Sequence, residues 1–312
     1  WRERLSGCLD TDVVAKDARS VTGAMVLGDK SALDSELKDS YSVSGASHLL
    51  ALSGLHLGVI YMVLSLLFVR YPWSAAGQAV SVAAIWAYVL LVGLPVSVVR
   101  AATMITIYAA VAVRGNRVVS PNSLALTATV MLVVNPSCLW DIGFQMSFAA
   151  VLAIFVFFNP IYNAFSKEWL MVHSAGRWLW SVVSVSVAAQ IGAGPLALFY
   201  FGRVSCYFLL TNIFVMPLAT LAIYVALAYF ALSFLPFVSR FIGIVLSWVV
   251  SLLNDIVVAV ASLPGASIEN VRIGVAQLYL IYFFFFCLYM VGHYCWKVYC
   301  FTHYRVREDI HR

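Results

Sequence analysis

The chain has 312 residues, 63% of them hydrophobic and only 11% charged, with a mean hydropathy of +0.93 and a net charge of +5. A soluble domain carries roughly 25% charged residues, so too little polar surface is present for water to be the only solvent. The apolar residues come in runs near the ~20 needed to cross a bilayer, and the expected fold is an all-α polytopic membrane protein.

Residues 1–47 hold 6 of the 19 Lys/Arg and 8 of the 14 Asp/Glu, leaving 13 basic and 6 acidic groups for the rest. Val13, Val14, Ala18, Val21, Met25 and Leu27 recur near helical spacing in this charged stretch. That pattern predicts an amphipathic, interfacial N-terminal segment over 1–47. The opening Trp1-Arg2-Glu3-Arg4 reads as a piece of a longer protein. None of the six cysteines forms a C-x-x-C pair, and a disulfide at Cys8 would need an oxidising compartment.

Apolar segments then follow in order. The first covers 48–69, the second 75–94, the third 96–113 and a short fourth 120–134. Asp141 stands as an N-cap before a fifth to 158. A sixth covers 177–201, and a seventh, 204–235, is expected to be a helix broken at Asn212 and Pro217. The eighth covers 237–263, the ninth 273–294, and 297–312 is a basic tail. The expectation is about nine transmembrane or re-entrant helices, with 48–296 as the membrane domain. Nine crossings gather Arg70, Arg114, Arg117, Lys167, Arg177, Arg240, Lys297, Arg305, Arg307 and Arg312 on one side. Only Arg203 and Arg272 fall on the other, outside the N-terminal segment. The positive-inside rule makes the first side cytoplasmic and the N-terminal segment external.

The densest polar feature is Ser47-His48-Leu49-Leu50-Ala51-Leu52-Ser53-Gly54-Leu55-His56. On an unbroken helix His48 and His56 stand about 12 Å apart at 1.5 Å per residue and cannot share a metal ion. Ser53 and His56 share a face, but a serine hydrolase also needs an orienting carboxylate and none is near in sequence. Other polar candidates inside or at the ends of spans are Arg100, Gln145, Gln190, Asn212 and Gln277, with Asp255 as an intramembrane acid. Each has a plainer reading: helix–helix pinning for the amides and histidines, snorkelling for Arg100. Phe144 and Phe148 are among several aromatics able to stack bases, though most aromatics here serve the core, lipid or interfacial belt.

Gly28-Asp29-Lys30 precedes the Ser47–His56 stretch; Arg100-Ala101-Ala102-Thr103-Met104, Asn135-Pro136 and Asp141-Ile142-Gly143-Phe144-Gln145-Met146-Ser147-Phe148 follow it. Gln190-Ile191-Gly192-Ala193-Gly194-Pro195-Leu196, Asn212-Ile213-Phe214-Val215-Met216-Pro217-Leu218 and Leu263-Pro264-Gly265 complete the series. In that order these blocks resemble the competence domain of the ComEC family of DNA-uptake proteins, over roughly residues 25–265. Lys30 and Met146 stand where the family usually has arginine and leucine.

The resemblance implies import of single-stranded DNA through the bacterial cytoplasmic (inner) membrane during natural transformation. Relatives often add an OB-fold and a nuclease domain in the same full-length protein. No H-x-H-x-D-H box and no phosphate-binding glycine loop with Lys-Ser/Thr occur here. No enzyme activity and no cofactor are therefore expected, and energy would come from a cytosolic ATP-driven helicase or ssDNA-binding and recombination proteins. The expected path for the strand uses His48, Ser53, His56, Arg100, Gln145, Gln190, Asn212 and Gln277. Two rival readings are a proton-coupled secondary transporter of a small anionic solute, using Asp255 and the histidines, and an intramembrane serine hydrolase on Ser53 and His56.

Overall fold

The computed structural model describes residue 7 and residues 14–67, 75–113, 121–165 and 172–310. Arg70, Arg114, Arg117, Lys167, Arg312 and Cys8, which the sequence reading used, lie outside them. In chain order the helices are α1 (Lys16–Thr22), α2 (Ser35–Val43), α3 (Gly54–Leu67), α4 (Ala75–Leu91), α5 (Val96–Ala112), α6 (Pro121–Val134), α7 (Ile142–Tyr162), α8 (Ser174–Phe201), α9 (Phe208–Ala231), α10 (Pro236–Ala261) and α11 (Val275–Ile310). A wide π turn, Gly23–Leu27, continues α1, and short 3-10 turns occupy Ser47–Leu49 and Pro136–Trp140.

Five helices among the described residues are long and apolar enough to cross a membrane: α7, α8, α9, α10 and the Val275–Gly292 part of α11. The other four apolar helices, α3 to α6, have 14 to 17 residues. At 1.5 Å per residue their described residues reach about 21–26 Å, against a hydrocarbon core of ~30 Å. The all-α class expected from composition is present; of the about nine transmembrane or re-entrant helices expected, five are of sufficient length among the described residues and four are shorter apolar helices. α11 also runs unbroken through the residues expected to form a separate basic tail.

The largest core corrects the picture of an N-terminal segment lying at the surface. Ala18, Val21, Ala24 and Met25 are buried together with Tyr41 against Val215 and Ile223 of α9 and Leu246 and Leu253 of α10. Sequence spacing showed an apolar stripe but not its breadth. Ser20, on the far side of the helix, and Thr22, beside the stripe, are buried too, and their hydroxyls donate to the helix's own carbonyls of Asp17 and Ala18. Hydroxyls satisfied within the helix let it sink into the bundle.

Gly28 ends the π turn at φ +69, a conformation that strains L side chains, and a Cβ there would meet Leu52 at 2.7 Å. That contact seats Gly28-Asp29-Lys30 beside the Ser47–His56 stretch. Tyr41 extends the same packing by donating its hydroxyl to Asn254 Oδ1 at 2.8 Å, and burial pushes its pKa up.

A second core joins α3, α4 and α5 through Leu57, Ile85, Val89, Val98 and Ala102. α7 and α8 pack so closely that a Cβ on Gly192 would lie 2.2 Å from Ala149 O. Three prolines, Pro160, Pro195 and Pro217, sit inside continuous helices. The break expected at Pro217 is therefore absent: α9 is one helix, with Pro217 on its exposed side. Proline removes one backbone hydrogen bond, and in apolar surroundings the flanking turns hold because no water competes for their groups. Beside Pro195 the Tyr282 hydroxyl of α11 donates to Gly192 O at 2.6 Å.

At one end of the bundle β1 (Val204–Ser205) pairs antiparallel with β2 (Ser267–Ile268). Here Arg203 bridges Asp39 at 2.7 Å and Glu269 at 2.9 Å. The hydrogen bond to Asp39 is the main reason its pKa stands above the ordinary arginine value. Arg177 and Arg240 begin α8 and α10 at the opposite end, so the N-terminal segment's Asp39 shares the Arg203 end.

Two expected outcomes follow from this packing. Gly192→Ala should destabilise by about 1–3 kcal/mol or more, because the added methyl meets backbone rather than a mobile side chain. Tyr41→Phe should cost about 1–3 kcal/mol by leaving Asn254 Oδ1 buried without its donor. Denaturant midpoints in detergent measure both.

Candidate functional site

The Ser47–His56 stretch is not the unbroken start of a helix. Gly45, at φ +85, turns the chain, and the 3-10 turn closes through Leu49 N–H to Ala46 O and Leu50 N–H to Ser47 O. The helix begins only at Gly54, with Ser53 in the N-cap place and Leu57 N–H on Ser53 O at 3.4 Å. Serine favours that position because its side chain competes with helical bonding.

His56, three residues on, folds back over the start of the helix. Its Nδ1 accepts the Ser53 backbone N–H at 3.0 Å and lies 2.8 Å from Ser53 Oγ. This is one half of a capping box, with imidazole where glutamate usually stands; the reciprocal bond from the His56 N–H to Ser53 Oγ is not made among the described residues. A ring nitrogen that accepts from a backbone N–H carries no proton, so the neutral ring keeps its proton on Nε2. That Nε2 is buried without a hydrogen-bond partner, and His56 is 1% exposed. His48 takes a different place: it is exposed, its Nδ1 3.1 Å from Gly45 O.

Arg100 comes to the same turn from α5. Ser97, one turn earlier on that helix, donates to Leu52 O at 2.7 Å and fixes α5 against the stretch. Arg100 Nη2 then stands 3.9 Å, and Ala101 Cβ 3.6 Å, from where a Cβ on Gly54 would be. Both are ordinary van der Waals distances, so the guanidinium lies directly over the first turn of α3. Its carbon also lies 5.9 Å from the Phe148 ring centre on α7, within cation–π range, and Phe148 stacks tilted on Phe144 at 4.3 Å. Arg100 is 5% exposed, and Nη1 is buried without a partner. α3, α5 and α7 contain no acidic residue.

The remaining candidates divide by their bonding. Gln145 donates to Leu139 O at 2.9 Å and accepts the Tyr200 hydroxyl at 2.6 Å, pinning α7 to α8. Asn212 donates to Ser186 Oγ at 3.2 Å, pinning α9 to α8. Gln190, one turn beyond Ser186, lies over Gly194 with no hydrogen bond to any described residue. Gln277 is exposed and accepts Gly274 N–H at the start of α11.

Asp255 points outward, and it is its neighbour Asn254 that enters the core. No ion pair is formed by Asp255 among the described residues. No hydrogen bond among them links the Arg100 cluster to Gln145, Gln190 or Asn212 either. Sequence reading missed Gly54 and Ser97 as the residues that position Arg100. The only available signal was Ser97 lying one turn before Arg100.

The family model described as Competence protein matches residues 25–294, from the π turn beside Gly28 through the membrane helix of α11. The chain belongs to the Competence protein family. The chain is 28% identical over 247 residues to ComE operon protein 3 of Bacillus subtilis (strain 168), covering 77% of this chain and 30% of that protein. It is also 28% identical over 155 residues to an uncharacterized protein of Aquifex aeolicus (strain VF5), covering 49% of this chain and 37% of that one. The chain thus spans about a third of the length of each. No solved structure matches.

Two substitutions probe the cap. His56→Leu, which keeps the volume but removes the acceptor of Ser53 N–H, should cost about 1–3 kcal/mol. Ser53→Ala, which removes only the hydroxyl's contact with His56 Nδ1, should cost about 0.5–1.5 kcal/mol. Both are read as lowered unfolding midpoints in detergent.

Proposed function

We propose that this chain is the membrane channel region of a DNA-uptake protein, passing one DNA strand across the bacterial cytoplasmic membrane during natural transformation. The observation that carries the reading is Arg100, a buried cation with no carboxylate on any of the three helices around it. An uncompensated charge in an apolar bundle is costly and by default functional. A polyanion with a phosphate every few ångströms is the cargo such a charge suits. Family membership supplies the competence context.

In this reading residues 48–296 form the channel domain, with helices α3 to α6 completing it. The end carrying Arg203 and Asp39 faces outward, and a cytosolic ATP-driven helicase or ssDNA-binding proteins draw the strand in. OB-fold and nuclease domains belong to the remainder of a longer polypeptide.

The rivals fare less well on the same geometry. A proton-coupled transporter would hold its acid inside, whereas Asp255 lies on the outer face. A hydrolase has its serine and histidine in contact, but His56 Nδ1 is already engaged by Ser53's own backbone N–H, and no carboxylate meets Nε2.

Deletion in a transformable host should leave DNA bound at the surface with no labelled strand in the cytoplasm. Arg100→Gln should reduce uptake about tenfold or more, the loss expected for one charge-assisted contact, and Arg100→Lys less. Labelled-strand recovery equal to wild type in the deletion strain would refute the proposal.

A further inference from the structure

We infer that Arg100 and the first turn of α3 form a binding site for a single phosphodiester group. The inference rests on the strand-passage reading and names what one contact in that passage holds.

The first backbone N–H groups of a helix have no partner inside it. At α3 these belong to Gly54, Leu55 and His56. An N-cap serine ordinarily accepts one of them, but Ser53 Oγ is turned to His56 Nδ1 at 2.8 Å. Imidazole therefore satisfies the cap residue, and no described residue accepts a hydrogen bond from the first-turn N–H groups. The turn is left as an unfilled set of donors at the positive end of a 14-residue helix.

Arg100 supplies the second, independent observation. Its guanidinium stands over Gly54, the first residue of that turn, with Nη1 buried and unpartnered. The Phe148 ring gives it a resting surface that consumes no hydrogen-bonding group. The polar groups left without a partner at this point, Arg100 Nη1 and the first-turn N–H groups, are donors, so the complementary ligand is an acceptor and negative. The guanidinium can donate to one non-bridging oxygen of a phosphate, and the helix start to the other. A phosphodiester offers those oxygens with one charge, which a single arginine balances.

Such a site reads no base, as a passage for any sequence requires. The same group occurs in the DNA backbone and in phospholipid headgroups. The site lies toward the Arg203 end of the bundle: Gly45, nine residues before Gly54, packs on Ser205 of β1.

The full chain, purified in nanodiscs, is titrated with a fluorescent oligothymidylate and with the same oligomer carrying neutral methylphosphonate linkages. Wild type should bind the phosphodiester oligomer about tenfold or more tightly than the neutral one. Arg100→Gln should lose about that factor, and Arg100→Lys should retain part of it. Gly54→Leu, which places a side chain under the guanidinium without touching the charge, should also weaken binding. Melting temperature and elution volume identify the variants that remain folded.

Equal affinity of wild type and folded Arg100→Gln overturns the inference, as does equal affinity for the two oligomers. Weaker oligomer binding in phosphatidylglycerol discs than in discs of an uncharged glycolipid, with the difference lost in Arg100→Gln, assigns the site to lipid phosphodiester and keeps it. The uptake assay separates the two levels. If a deletion strain imports DNA normally while Arg100→Gln loses oligomer binding, the site stands and strand passage fails. If deletion stops import while Arg100→Gln binds as wild type, strand passage stands and the site fails.

Discussion

The constraint that organises this protein is the cost of a polar group in an apolar medium without a partner. Most of the chain meets it locally. Serine and threonine hydroxyls return to carbonyls one turn back, as Thr22, Ser81, Thr103, Thr106, Thr127 and Ser184 all do. Longer side chains meet it between helices: Tyr41 with Asn254, Tyr200 with Gln145, Asn212 with Ser186 and Tyr282 with Gly192. Against that background the groups left over stand out. His56 Nε2 and Arg100 Nη1 are two of the few buried side-chain atoms without a partner among the described residues, and both belong to the junction of α3 and α5.

That junction shows how local chemistry positions a functional group. Ser53 and His56 fix where α3 starts, Ser97 ties α5 to the residue preceding that start, and Gly54 lies under the guanidinium where the two helices meet. The arginine takes that place because its own helix is already anchored one turn earlier. A local cap and a few contacts between helices together hold a cation among helices that carry no acid.

Sequence was informative where the signal was compositional or ordered along the chain. The helical class, the α7 cap at Asp141, donating site Phe144 N–H at 2.8 Å, and the family blocks could all be read from the residues. Three features could not. Periodicity gives the apolar face of α1 but not that Ser20 and Thr22 would be silenced by their own carbonyls, which turned a surface helix into core. Pro217 carries the same local signal in a broken and a continuous helix, and the medium decides between them. Asn254 and Asp255 are adjacent on a helix with faces 100° apart, so a register shift of one residue separates a buried pin from an exposed acid. The candidate site itself was legible as a list, and only packing showed that Arg100 joins the Ser53–His56 turn while Gln145 and Asn212 serve as fasteners elsewhere.

The absence of a side chain at Gly192 has a mechanical consequence. With the backbones of α7 and α8 touching at that level, the two helices have no slack to slide or splay, and they form a stiff two-helix plate. Phe148 rides on this plate, so the aromatic surface under the guanidinium is fixed in space. Any widening of the bundle must be taken up where contact is made by side chains alone, as between α8 and α9, where Asn212 and Ser186 make the one polar bridge among the described residues.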